Sequence, residues 1–328
     1  ADGGGEEEYR CHVDSALQEA QKELGLPSTP EAQPGPMGWG SAGELVKNFH
    51  PVPWVICRIV RTVFGRADRM GNALPSLFHP LDRLLFQAVS DPVLGGDFAD
   101  GEEVAEVTVT KAIEQMGLDV AGAICFVHAV CRRLTQSLPE RIAQALLDDA
   151  LLRTKIGFLI GQTAPRFDAG RGMLAGFSGR SGLAILIASG TTEAAQDALR
   201  LMAQGVEIRD VGLRVYGCEP LQVSALTLAI AGCNREAAFG IASFGISTRS
   251  RDLVPGSEAA RWLAAFSLTE HLRMGNRDRI EPFMWNELGL DQSKSLREDL
   301  MKRVRLVQRR GHGWQWMTWP QLMMEAQR

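Results

Sequence analysis

Near the middle of the chain the stretch MLAGFSGRSGLAILI, Met173 to Ile187, holds polar groups that could do chemistry: Ser178, Arg180 and Ser181, set among Gly176, Gly179 and Gly182. A phosphate cradle needs GxxxxGK[ST], with backbone N–H groups and a lysine aimed at the phosphates. Here Gly182 follows six residues after Gly176, and Leu183 stands where the lysine is required. A nucleophile elbow needs GxSxG. Ser178 is followed by Gly179 and Arg180, and Ser181 by Gly182 and Leu183, so neither serine has its second glycine in place. Both motifs also follow a strand, whereas the apolar spacing here is helical. The stretch therefore reads as an apolar helical run broken at its glycines, where small residues permit close packing. An anion at a following helix N-terminus stays open as a ligand.

The histidines offer no obvious metal or acid–base centre. His50 and His79 each precede a proline, His128 lies among Val127, Ala129 and Val130, and His271 sits near the end of a helical segment. His12 and His312 fall near the two ends, and no HxxxH or HxxE pair occurs. The cysteines (Cys11, Cys57, Cys125, Cys131, Cys218, Cys233) contain no CxxC pair, and several sit in apolar helical patterns as small hydrophobes. That usage points to a reduced, cytoplasmic setting.

The elements that must position these residues are helical. With 45% apolar residues in 328, a large core is available, and a net charge of -4 predicts no bulk nucleic-acid binding. No signal peptide is evident, and charges interrupt the apolar runs before the ~20 residues of a membrane span. An opening Ala1 in place of Met leaves room for a trimmed start or an upstream domain. CHVDSALQEAQKEL could form a short amphipathic helix, and GLPSTPEAQPGPMGWGSAG reads as a linker or wrapping loop. Helices are expected over VPWVICRIVRTVF with Arg58 and Arg61 outward, over HPLDRLLFQAVSD, and on both sides of Gly117-Leu118-Asp119. Others open at Pro139-Glu140, at Thr191 or Thr192 with a stop at Gly205, and at Ser257, where an amphipathic helix begins. EPLQVSALTLAIAG, REAAFGIASFG and DQSKSLREDLMKRVRLVQRRG continue the pattern, and GWQWM is the single strand candidate. GGDFAD, Gly95 to Asp100, is similar to a diguanylate cyclase signature but lacks its glutamate, and reads as a loop. The expected fold class is all-α: a multi-helix bundle over 46–310, a peripheral segment over 1–45 and a Trp-rich tail over 311–328.

The order of segments resembles the HDOD domain, the helical module related to HD-type metal phosphohydrolases. DPVL followed by VTVTKAIEQMGLDVAGAI is similar to that family's D-P-x-L segment and its A-I-x-x-L-G helix. LLRTKIGFLIGQTA stands where the family has a histidine-bearing helix, and MLAGFSGRSGLAIL where it has a-G-L-L-H-D-I-G. GLRVYGCEPLQVSALTLAIAGCNREAAFGIASFG, ARWLAAFSLTEHLRMG and NELGLDQSKSLRED track the later helices in order. On this resemblance, the places of the metal ligands hold Thr154 and Lys155, then Gly179 and Arg180, then Pro220, Phe244 and Gly245. Glycine, proline and phenylalanine side chains carry no donor atom, and lysine and arginine repel a cation. Glu270 lies near a place where the family often carries aspartate.

The resemblance therefore implies a non-catalytic regulatory module of a bacterial, cytoplasmic kind, with no cofactor and no metal. Its expected partner is a signalling protein: a sensor, receiver, kinase or cyclic-di-GMP enzyme. The alternative is a nucleotide or phosphate binder, or a phosphohydrolase, using Lys155, Ser178, Arg180 and Ser181. The strongest surface signal is basic and aromatic: Arg305, Arg309 and Arg310 before Trp314, Trp316 and Trp319. Such residues suit a protein interface. The same basic groups also complement a helix C-terminus, with the tryptophans as apolar anchors.

Overall fold

Thirteen α-helices and one short 3-10 turn account for the regular structure of the described residues, and no strand occurs among them. The computed structural model describes residues 38–65, 109–244 and 253–310, with single positions at Ser15, Phe78 and Ala88; for 109–112 it describes the backbone alone. In chain order the helices are α1 (Trp39–Phe49), α2 (Trp54–Phe64), α3 (Val109–Met116), α4 (Leu118–Ser137) and α5 (Glu140–Thr163). Then come α6 (Ala169–Ser189), α7 (Thr192–Ala203), α8 (Ile208–Tyr216), α9 (Pro220–Ala231) and α10 (Arg235–Ala242). The last three are α11 (Glu258–Met274), α12 (Pro282–Leu288) and α13 (Lys294–Arg310).

Local chemistry sets the boundaries. Gly117, with φ of 87°, separates α3 from α4, as the sequence predicts. Thr191, Asn234 and Ser257 cap α7, α10 and α11, each side chain accepting the N–H three residues on. Asp168 caps α6 in the same way at 2.8 Å, and Asp119 of α4 accepts from Gly170 N–H at 2.8 Å, so two carboxylates meet the positive end of α6.

α6 is the hub. Fifteen of its residues are buried, and α4, α5, α9 and α11 all pack against it. It is long and apolar enough to cross a membrane, yet it lies inside the bundle as a core helix does. Three readings need correction here. The glycines at 176, 179 and 182 do not break the helix: α6 runs unbroken through them. Their role is to let neighbours approach. A Cβ at Gly157 would overlap the carbonyl oxygen of Gly172, and one at Gly172 would overlap that of Gly157. Gly161 and Gly176 meet the carbonyls of Asp168 and Arg153 in the same way. GFLIG on α5 and GMLAG on α6 thus form a seam of backbone against backbone, where small residues four apart face each other. Cα–H···O contacts and dispersion take the place of interlocking side chains.

α11 is not amphipathic. Trp262, Leu263, Ala265, Phe266, Leu268 and Thr269 are buried around most of its circumference, because α5, α6 and α10 enclose it. Gly-Trp-Gly-Ser-Ala-Gly is not linker beyond residue 38, since Trp39–Phe49 is helical and buries Trp39 and Ala42. Arg133 fixes that helix by donating to Phe49 O at 3.2 Å while its guanidinium lies over the Phe49 ring. Arg58 and Arg61 face outward as expected. Ala88, within the predicted helix HPLDRLLFQAVSD, and Phe78, just before it, are helical and buried. The remainder of that helix, the CHVDSALQEAQKEL helix apart from Ser15, GGDFAD and GWQWM lie outside the described residues.

The seam gives glycine substitutions opposite signs. Gly172→Ala should destabilise by about 3 kcal/mol or more, since backbone cannot yield as a side chain can. Gly40→Ala in α1, where a Cβ meets nothing within 4 Å, should instead stabilise by about 0.5–1 kcal/mol. Urea unfolding midpoints measure both.

Candidate functional site

The glycine seam brings α5, α6 and α11 close enough for their charged side chains to meet. Asp149 and Arg153 lie one turn apart on α5, Arg180 is on α6, and Glu270 and Arg273 are on α11. Asp149 is the centre. Its Oδ2 accepts from Arg153 Nε at 3.0 Å and from Arg180 Nε at 2.5 Å, and its Oδ1 accepts from Arg273 Nε at 2.7 Å. Arg153 also pairs through Nη1 with Glu270 Oε1. Gly179 makes room for this second pair: a Cβ there would come within 2.5 Å of the Glu270 carboxylate and 3.3 Å of Arg153 Cδ.

Three guanidiniums face two carboxylates, so these five groups carry one surplus positive charge. Arg153 is only 1% exposed, so its charge depends on its partners. Burial pushes its pKa down to about 10, with Arg180 pushing the same way and Asp149 opposing, and it stays protonated at neutral pH. Burial by itself would raise the Asp149 carboxyl, but Arg153, Arg180 and Arg273 outweigh it and hold the group below its ordinary range.

The other expected site residues occupy different places. Thr154 is fully buried and donates to Ala150 O at 2.8 Å. Lys155 is buried too, about 200° around α5 from Arg153. Ser178 donates to Leu174 O at 2.8 Å, and Ser181 lies 3.4 Å from the Ser224 hydroxyl of α9. Ser224 accepts from Gly182 N–H at 2.9 Å and donates to Ser178 O at 2.8 Å. It thereby bridges two groups that ordinarily close a helical turn. Thus the Ser178 carbonyl and the Ser181 hydroxyl serve the α6–α9 contact while Arg180 turns to α5, and the four proposed ligand groups do not converge on one point. Pro220 is the first residue of α9, with its carbonyl against Gly182. Phe244 is 43% exposed and packs edge-on to Phe266 at 4.9 Å. Gly245 lies outside the described residues.

Other reactive groups are muted. Burial pushes the thiols of Cys57 and Cys218 up to about 12, and raises Cys125, Cys131 and Cys233 as well. Burial first, and Arg132 second, push His128 down to about 4, so it is neutral at physiological pH. Among the described residues no group of three or more His, Cys, Asp or Glu is placed to hold a metal. Arg305, Arg309 and Arg310 are exposed on α13, and Trp314, Trp316 and Trp319 lie outside the described residues.

Sequence reasoning singled out Arg180 and noticed Glu270 but passed over Asp149, Arg153 and Arg273. The signal was there: Asp and Arg four apart within an apolar helical run, where a charge needs a partner.

No protein-family model matches the chain, and no curated protein matches it in sequence. Solved structures do match in fold. An HDOD domain protein of unknown function from Geobacter sulfurreducens superposes with a TM-score of 0.57 at 14% identity, covering 80% of this chain and 96% of that one. A provisionally assigned phosphohydrolase from Shewanella amazonensis gives 0.54 at 15% identity over 84% and 98%. A provisionally assigned signal transduction protein from Marinobacter aquaeolei gives 0.56 at 14% identity, with 94% of this chain covering 65% of that chain. At such identity the likeness is one of fold: the helices are arranged as in an HDOD domain.

Arg153→Met should destabilise by about 3–5 kcal/mol, because it leaves Glu270 without its charge partner. Arg153→Met/Glu270→Gln should recover part of the loss, a coupling of about 1 kcal/mol or more in a double-mutant cycle. The lowered Asp149 pKa contributes stability that is complete above the unfolded value of about 3.9 and is lost as pH falls through the folded value. Acid unfolding curves should therefore flatten in Asp149→Asn.

Proposed function

We propose that this HDOD-like chain is a non-catalytic, cytoplasmic signal-transduction module that acts by binding a signalling protein. Sensors, receivers, kinases and cyclic-di-GMP enzymes form the partner class. One observation carries the reading. Gly179 and Arg180 stand where the resemblance places a metal-binding His-Asp pair, and the space beside them holds Arg153 and Arg180 closed onto Asp149. Like charge opposes a divalent ion there, and both Asp149 oxygens and Glu270 Oε1 already accept from a guanidinium. Thr154 and Pro220 add no ligand: one hydroxyl is spent on its own helix, and the other side chain has no donor. The signal-transduction description of the Marinobacter protein agrees with this reading.

A second reading, a nucleotide or phosphate ligand at the same place, draws on the surplus positive charge and on the phosphohydrolase description of the Shewanella protein. It requires an anion to displace Asp149 from Arg180 or Arg273.

The two readings part in a single experiment on the purified chain. Melting temperature is followed with Mg2+, Mn2+, Fe2+ and nucleotides, alongside hydrolysis of bis-p-nitrophenyl phosphate. The expected result is no metal-dependent turnover and no nucleotide-dependent rise in Tm. Turnover that needs a metal would sink the non-catalytic reading, and a nucleotide shift lost in Arg180→Ala would favour the second.

A further inference from the structure

α13 carries seven basic and two acidic side chains, a net +5 on 17 residues of a chain whose total is -4; the rest of the chain therefore stands at -9. Leu300, Val304 and Val307 face the bundle, and Arg303 and Gln308 bond to Gln162 and to Leu272 O. The opposite face is exposed. Lys302, Arg305 and Arg309 follow one another at spacings of three and four, so they share that face, with Leu306 beside them at 46% exposure and Arg310 one turn on. Among the described residues none of these four cations forms an ion pair; the single pair on α13 joins Lys294 to Glu298 at 3.7 Å, nearer its start.

Like charges at this spacing repel. The helix dipole accounts for Arg309 and Arg310, which lie in the last turn, but its influence fades within that turn and does not reach Lys302. Glu298 and Asp299 precede Lys302 by four and three residues and offset its charge in part, but among the described residues no carboxylate forms an ion pair with Arg305, Arg309 or Arg310. Carboxylates from outside would supply those pairs. We infer that the Lys302–Arg305–Leu306–Arg309 face of α13 docks a partner protein through an acidic helix or strip whose carboxylates flank one apolar residue seated on Leu306. Arginine is enriched among the residues that dominate binding at interfaces, and opposite charge speeds and orients encounter.

Two other polyanions fit less well. An interfacial helix lays a broad apolar face into lipid, but the apolar face of α13 is spent on the bundle and the outer face offers Leu306 alone. Nucleic acid offers phosphates along its backbone but no apolar side chain to seat on Leu306.

The inference rests on the protein-contact reading and adds the surface and the partner's charge. The probe is a fluorescein-labelled helical peptide with glutamates at spacings of three and four around a single leucine. A scrambled peptide of the same composition, phosphatidylserine vesicles and a short DNA duplex serve as competitors. Anisotropy is measured with the full chain at about 50 and about 300 mM salt, across which exposed charges are increasingly screened. The expected result is binding that weakens with salt and falls about tenfold or more in Lys302→Glu/Arg305→Glu/Arg309→Glu, at unchanged Tm. The same peptide with lysines for glutamates should bind that variant and not the wild type. The inference is overturned if the peptide does not bind, if the scrambled peptide binds equally, if charge reversal has no effect, or if vesicles or DNA bind more tightly. Failure here with no metal-dependent hydrolysis leaves the protein-contact reading standing with its surface elsewhere. Hydrolysis sinks that reading independently.

Discussion

Between α5 and α6 the two backbones touch. Gly157 and Gly172 each sit against the other's carbonyl oxygen, and Gly161 and Gly176 extend the seam to either side. Ordinary helices pack with axes about 8–10 Å apart because side chains stand between them. Removing every Cβ along a seam removes that spacer. α6 is drawn into the centre of the bundle, and the side chains at its flanks are pressed against α11 on one side and α9 on the other. The charge cluster and the serine bridge both follow from this approach.

Charges brought together so closely must be matched. Asp149 takes three guanidinium donors on two oxygens, and Glu270 takes the remaining arm of Arg153. A buried arginine without such partners would cost several kcal/mol. The network ties three helices at one place, and removing any member exposes the others. That is a structural use of charged side chains: each is held in place by a partner of opposite sign on a neighbouring helix.

With the interior groups occupied by one another, the exposed cations that form no ion pair among the described residues include Lys302, Arg305, Arg309 and Arg310 on the outer face of α13. Such a stripe gives a partner of opposite charge a preferred direction of approach. Association through that face would leave the packed centre undisturbed, since α13 meets the bundle through Leu300, Val304 and Val307 on its far side.

The helices themselves were legible from residue order. Gly117, Pro139, Thr191 and Ser257 act within a few residues of where they stand, so capping and backbone preference place those boundaries without any knowledge of neighbours. The all-α class followed from periodicity, and the order of segments pointed to the HDOD-like arrangement. The glycines of MLAGFSGRSG were ambiguous, because a glycine that ends a helix and one that admits another helix look the same until the second helix is in place. Serine is similarly indeterminate: Ser178 and Ser181 could have lined a site, but Ser178 spends its hydroxyl on Leu174 O within α6, and the approach of Ser224 from α9 takes up Ser181. Asp149 and Arg273 are 124 positions apart, and no local rule couples them. Sequence determined which segments are helical and which side chains carry charge; tertiary packing decided which charges meet, since electrostatic pairing depends on distance in space and that distance was set by backbone contact between glycines.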